Sequence, residues 1–143
     1  MVAPAYDPNN IFAKILRGEI PCHKVYEDEH VLAFMDIMPR GDGHTLVIPK
    51  VAARNILDLP AEAFAPLMAG VQKVARAAKA ALDADGITLQ QFSEPAGGQV
   101  VFHIHFHVIP RWNGVRLRPH TGEMAPGAEL AGFAKKIAAA IGA

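Results

Sequence analysis

Residues 100–110 alternate strictly. Val100, Phe102, Ile104, Phe106 and Val108 fall on one side of an extended backbone, and Val101, His103, His105, His107 and Ile109 on the other. A period of two is the signature of a β-strand, whose neighbours point to opposite faces. The first side is apolar and is expected to lie against helices as core. The second carries three imidazoles, about 6–7 Å apart by the rise of a strand. Stability alone does not ask for such a row.

Patterning elsewhere predicts the partners of this strand. Residues 1–8 hold two prolines and little pattern, and read as a flexible lead-in. Asn9 or Asn10 caps a short helix over 11–17 with Ile11, Phe12, Ile15 and Leu16 on its apolar face, closed by Gly18. Strands over 24–27 and 31–36 form a hairpin about Asp28 and Glu29. A turn-rich loop over 39–43 leads to a third strand over 44–48, ended by Pro49. Phe64, Leu67, Met68, Val71, Val74 and Ala75 predict a long helix from Pro60 to about Leu82; Pro66 either kinks it or marks its true start. A fourth strand over 87–92 and a Gly/Pro loop over 93–98 precede the histidine strand. An irregular tail over 111–127 and a helix over 129–141, with Leu130, Phe133, Ile137 and Ile141 on one face, close the chain. This order implies an α+β fold: about five antiparallel strands, one face covered by the long helix, with short N- and C-terminal helices. Residues 9–112 form the domain, and 113–143 pack on it.

The chain has 143 residues, enough for one domain with a sizeable core. Its 14 basic and 14 acidic side chains balance, so there is no bulk attraction to nucleic acid or to anionic membranes. Any anionic ligand must be small and held locally. Cys22 is the single cysteine, so no intramolecular disulfide forms. Neither a signal peptide nor a membrane span is apparent, and a cytoplasmic protein is the expectation.

Three readings of His103, His105 and His107 compete. They can be polar residues on a half-solvated strand. They can be metal ligands, since imidazoles at i and i+2 suit zinc. Or one of them can be a nucleophile toward phosphorus, forming a covalent intermediate that water later releases. The third reading needs a neutral imidazole, and an unperturbed histidine, with a pKa of about 6.5, is mostly neutral at pH 7. It also needs donors for phosphate oxygens. Gly97, Gly98 and Gln99 precede the strand and can present backbone N–H groups, and Gln99 adds a side-chain amide.

Residues 98–109 resemble the signature of the histidine triad (HIT) superfamily, in which three histidines alternate with apolar residues. Residues 11–15, 18–21, 25–28, 33–37 and 43–50 are similar to the family's other blocks, in its order, so the likeness spans about residues 9–112. The resemblance implies a nucleotide hydrolase or transferase acting at an α-phosphate. It implies that His105 is the nucleophile. The His103 carbonyl would orient it, His107 would lie near the phosphate oxygens and leaving group, and His44 would be a distal member of the network. Asp36 matches the residue that binds ribose hydroxyls, with a strand-end turn former as its alternative. Ile11, Phe12, Phe34, Ile37 and Leu46 match the apolar cleft around the base. Gln99 matches a phosphate-side glutamine, beside Gly98.

Three departures stand out. Ser93 occupies the region where the family usually carries Asn. Val100 stands where some members have a phosphate-binding Ser, leaving only its backbone N–H. No Cys-x-x-Cys pair lies near the N-terminus, so no structural zinc is expected, and no cofactor is required. The family resemblance further implies a homodimer and a purine nucleotide substrate: a nucleoside phosphoramidate or a dinucleoside polyphosphate. Arg111 could reach a polyphosphate or pair with a surface carboxylate, and Trp112 reads as packing or interface. His23, His30 and His120 read as surface residues. A non-catalytic nucleotide-binding regulator and a histidine-ligated metal protein are the alternatives.

Overall fold

The computed structural model describes residues 4–119 and 123–142. His120 lies outside them. Five strands, β1 (Lys24–Glu27), β2 (Val31–Met35), β3 (Thr45–Pro49), β4 (Gly86–Gln90) and β5 (Phe106–Arg111), form one antiparallel sheet in the order β1-β2-β3-β5-β4. Three helices accompany it: α1 (Ile11–Leu16), α2 (Phe64–Ala81) and α3 (Gly127–Ile141). No described helix is long and apolar enough to cross a membrane. The α+β architecture is the one the patterning implies.

Alternation along the strands divides the sheet into two unequal faces. Val31, Ala33, Met35, Val47 and Val108 point to one side and form the main core with Leu67, Val71 and Val74 of α2 and Leu130, Ala134 and Ile137 of α3. Leu32, Phe34, Leu46 and Ile48 point to the other and meet Phe12 of α1 in a smaller cluster. Cross-strand register then places Phe34, Leu46 and His107 side by side in one row, because Phe34 pairs with Leu46 and Leu46 with His107. The face that carries His107 is therefore the one against which α1, a six-residue helix, packs. Asn10 starts that helix by accepting the Ala13 N–H at 2.9 Å.

The histidine strand is shorter than its alternation implies. β5 begins at Phe106, and residues 100–105 are irregular. The cause lies on β3. Pro49 turns its backbone toward β5, where its carbonyl accepts from the His103 ring at 2.8 Å, and it has no N–H to continue the ladder. The chain leaves the sheet there, and the Ile104 N–H goes to the Ala53 carbonyl at 2.9 Å instead. Val100 consequently lies 80% exposed rather than in the core, and Phe102 sits half-buried beneath the Arg54 guanidinium, 4.1 Å from its ring centroid. Ile104, Phe106 and Val108 do pack on the main core.

The long helix begins at Phe64 rather than at Pro60. Pro66 lies in the first turn of α2, where no intrahelical donor is needed, so it starts the helix rather than bending it. The buried stripe of α2 is Leu67, Gly70, Val71, Val74, Ala77 and Ala78, while Phe64 and Met68 stay partly exposed. The C-terminal segment is integral. The Arg118 N–H reaches the Arg40 carbonyl at 2.7 Å, the Ala125 N–H reaches Ile37 at 2.9 Å, and α3 completes the main core.

Gly70 sets the approach of α2 to the sheet. A Cβ there would lie 2.8 Å and 3.3 Å from the two methyls of Val31, a stiff side chain in mid-sheet. Gly70→Ala is expected to lower stability. Overpacking costs about 1–3 kcal/mol, against about 1 kcal/mol gained in helix propensity. Chemical denaturation with an unchanged m-value checks this.

Candidate active site

His105 leaves the last irregular residue before β5, and its Nδ1 lies 2.7 Å from the carbonyl oxygen of His103. A carbonyl only accepts, so Nδ1 carries the proton and Nε2 keeps its lone pair. The His103 ring is fixed in the same way. Its Nε2 faces the Pro49 carbonyl at 2.8 Å and must donate, which leaves Nδ1 to accept from the Tyr6 hydroxyl at 2.6 Å. A third assignment comes from the loop after β2. The Arg40 N–H donates to Nδ1 of His44 at 3.0 Å, so His44 bears its proton on Nε2 and donates it to Nδ1 of His107 at 2.9 Å. His107 is thereby left with an N–H at Nε2. Each tautomer follows from a backbone group that cannot switch roles.

The three triad histidines do not form one row. His105 and His107 stand edge to face with centroids 5.0 Å apart, and both line a cavity of about 330 Å³. His103 is fully buried behind them, with no access to that cavity. One wall comes from Ile11, Phe12 and Ile15 of α1; the floor from Phe34 and Leu46; the rim from Asp36, Ile37, Met38, Gly98 and Val100. Phe12 holds the His105 ring edge-on at 4.9 Å, and Phe92 holds His107 at 5.4 Å. Ile20, Pro21, Cys22, Phe92 and Val101 also line it. The sequence pattern had not marked these for the site, since they belong to the flanks of predicted elements. Asp36 does two things: one oxygen accepts the Met38 N–H at 2.9 Å, and the other lies 3.5 Å from Nε2 of His44.

Burial pushes the His105 pKa below the ordinary imidazole value of 6.5, opposed in part by its bond to the His103 carbonyl. Burial does the same to His103, helped by the His105 imidazole and opposed by the Pro49 carbonyl. Both rings are therefore neutral at pH 7. The site offers an unprotonated nitrogen, a neighbouring N–H donor and an apolar slot.

The glycine loop does not serve as a cradle. Gly97 N–H bonds Glu94 O at 2.9 Å, Gly98 N–H bonds Pro95 O at 3.0 Å, and Gln99 N–H bonds Glu94 O at 3.1 Å, so all three donors are spent within the turn. Gly98 supplies a left-handed residue, φ 95°, packed against the Phe92 ring. Gln99 is likewise buried away from the cavity. Its amide donates to Arg54 O at 2.7 Å and Val101 O at 3.1 Å, and its oxygen accepts from Glu94 N–H at 2.8 Å and Asn55 Nδ2 at 3.1 Å. Arg54 closes the assembly with a bidentate bond to Glu94 at 2.7 and 3.0 Å. This clamp holds the loop that enters the triad. Ser93 is tied to the Gln91 side chain at 3.0 Å and does not line the cavity.

A HIT domain model matches residues 17–114. The chain belongs to the HIT family. It is 46% identical over 104 residues to an uncharacterised HIT-like protein of Methanocaldococcus jannaschii, covering 73% of this chain and 80% of that one. It is 37% identical over 117 residues to the adenylylsulfatase HINT3 of Arabidopsis thaliana, covering 78% of this chain and 59% of the plant protein. The crystal structure of a HIT-like protein from Bartonella henselae, described as involved in cell-cycle regulation and as holding an unknown ligand, superposes with a TM-score of 0.92 at 55% identity, covering 96% of this chain and 99% of that one. A zinc-bound histidine triad protein from Mycobacterium smegmatis superposes with a TM-score of 0.83 at 38% identity, covering 94% of each. The family thus includes hydrolases, HINT3 among them.

A cation within this HIT site would have to use Asp36, His44 and His107, whose donor atoms lie within 4.8 Å of one another. Distance permits this; protonation opposes it. Ligation through Nε2 of His44 would move its proton to Nδ1, where the Arg40 N–H already points from 3.0 Å. Two hydrogens would then face each other. Arg111 and Trp112 lie apart from the HIT cavity: Arg111 donates to Thr88 Oγ1 at 3.0 Å, and Trp112 to Asp83 O at 3.1 Å.

The lowered histidine pKa values carry a stability consequence. The unfolded chain binds protons at these rings before the folded chain does. Their contribution is complete above the unfolded value of about 6.5 and is lost as pH falls through the lower folded values. Tm is expected to fall as the protein is taken from pH 7 to 5, and less so in His103→Asn. Gln99→Ala is expected to destabilise the protein by about 1–3 kcal/mol, because it removes the acceptor of the Glu94 N–H and of one Asn55 amide hydrogen and the donor to two carbonyls. Thermal unfolding beside nucleotide titration separates this loss from any change in affinity.

Proposed function

We propose that this HIT protein is a hydrolase acting at the α-phosphorus of a purine nucleotide, either a nucleoside phosphoramidate or a dinucleoside polyphosphate. The observation that carries the reading is His105: Nδ1–H held by the His103 carbonyl at 2.7 Å, with Nε2 a bare lone pair lining an apolar cavity. Such a nitrogen is a nucleophile waiting for an electrophile, and depressed basicity keeps it unprotonated. The plant relative's name, an adenylylsulfatase, is consistent with attack at an adenylyl phosphorus.

In this reading the apolar slot between Phe12, Phe34, Ile37 and Leu46 takes the base, and Asp36 at the rim takes the ribose hydroxyls. Nε2 of His105 forms a bond to phosphorus while the bond to the leaving amine or phosphate breaks in line. His107 gives the Nε2 proton to the departing group while its Nδ1 keeps accepting from His44 at 2.9 Å. Water then attacks phosphorus and returns a proton to Nε2 of His107, the phosphorus–nitrogen bond to His105 breaks, and the nucleoside monophosphate leaves. No cofactor or metal enters these steps. The protein works as a cytoplasmic homodimer.

His105→Ala is expected to lower kcat by at least about a thousandfold while leaving the Kd of a non-hydrolysable nucleotide within a few-fold. The measurement is kcat/KM over adenosine and guanosine phosphoramidates and dinucleoside polyphosphates, with acid-labile phosphohistidine trapped in a single turnover. Tight binding with no trapped intermediate on any substrate would instead make the protein a nucleotide-binding regulator. Full activity of His105→Ala would refute the mechanism.

A further inference from the structure

Tyr6 lies in the segment whose pattern predicts nothing, yet its hydroxyl reaches a histidine 97 positions away. The bond to Nδ1 of His103 measures 2.6 Å, and the rings meet at 68° with centroids 5.6 Å apart. The contact is built, not incidental. The Asn10 side chain donates to Asp7 O at 2.8 Å and Arg17 donates to Pro8 O at 2.8 Å, so residues 7 and 8, just after Tyr6, are tied to the start and end of α1. That same helix presents Phe12 to the His105 ring. One continuous stretch, residues 6–12, thus grips two triad histidines, one from behind and one from the cavity side.

We infer that Tyr6 is a positioning residue for the nucleophile: its hydroxyl locks the His103 ring against the Pro49 carbonyl and so fixes the backbone carbonyl that aims His105. The inference rests on the reading of His105 as nucleophile. Its physical basis is a count of donors and acceptors. His103 is fully buried, and it has two ring nitrogens with one partner each. With Tyr6 in place, one ring orientation and one tautomer satisfy both. Without the hydroxyl, Nδ1 is a buried acceptor with nothing to accept, and the ring gains by turning. A shift of the ring presses on a peptide that lies outside the ladder, since β5 has not yet begun at residue 103, and that peptide is held through the Ile104 N–H on the Ala53 carbonyl at 2.9 Å. Among the described residues, the His103 carbonyl is the hydrogen-bond partner that fixes the tautomer of His105. A few tenths of an ångström there misaims an in-line attack.

Tyr6→Phe removes one oxygen and keeps the ring. The expected result is a 5- to 50-fold loss of kcat on the best phosphoramidate substrate, with the Kd of a non-hydrolysable nucleotide within twofold of wild type. Nitrogen-15 imidazole spectra of the nucleotide-free protein are expected to show His103 as a single Nε2–H tautomer in the wild type and as a mixed or exchanging one in Tyr6→Phe. Introducing 4-aminophenylalanine at position 6 restores a donor and is expected to recover much of the lost kcat and the single tautomer. It also supplies the test if Tyr6→Phe folds poorly. Wild-type kcat in Tyr6→Phe, an unchanged His103 spectrum, or equal losses in kcat and nucleotide affinity would overturn the inference. The spectra need no substrate. A wild-type protein without turnover therefore fails the functional reading, while an unaltered spectrum fails the role of Tyr6.

Discussion

A proline that cannot donate shapes the site. In an uninterrupted ladder, β3 and β5 would pair past residue 106, and the backbone groups of residues 103–105 would be spent on sheet bonds. Pro49 ends the pairing on the side that faces β5. Its carbonyl then holds an imidazole rather than a backbone amide. The released chain lets the His103 carbonyl meet the His105 ring two residues on. The reactive lone pair is the end of a sequence of one-way bonds that starts at a missing N–H.

The same economy governs charge. His103 and His105 are kept neutral by burial, and carbonyl partners fix where their protons sit. Full-charge pairing is placed behind the cavity. Arg54 and Glu94 bind the loop that enters the triad, and Glu94 itself has a positive φ of 66°. A non-glycine residue in that region is strained, and the bidentate guanidinium with the Asn55 and Gln99 amides offsets the cost. The loop is held by side chains that do not line the cavity.

Much of this was legible in the sequence, for definite reasons. Strand alternation revealed β1 to β5 and the two faces, and motif likeness pointed to His105, His107, His44, Asp36 and the apolar wall. What failed was the inference from residue type to orientation. Three histidines at alternate positions suggest one surface, but β5 begins after His103 and His105 and holds His107 alone of the three. Gln99 looks like a ligand-binding amide, yet nothing local reveals that Asn55, Glu94 and Arg54 converge on it. The glycines at 97 and 98 suggest free amides, while the turn they build consumes them. Tyr6 was invisible because a single aromatic between prolines carries no period, and its partner lies across the fold. Local patterns report propensity; long-range bonds are written only in three dimensions.

The two faces of the sheet have unequal strength. Behind it, α2 and α3 seal a large core; in front, a six-residue helix and a cluster built on Phe12, Leu32, Phe34, Leu46 and Ile48 form the whole cover. The front layer can part while the back stays folded, since the two share strands but no side-chain cluster. Entry to the cavity is therefore governed by the cohesion of a handful of apolar side chains. The carbonyls of Pro49 and His103 that orient the imidazoles lie beneath, while Tyr6 and Phe12, which grip the same rings, belong to the cover, so a mutation that loosens the door also reaches the machinery behind it.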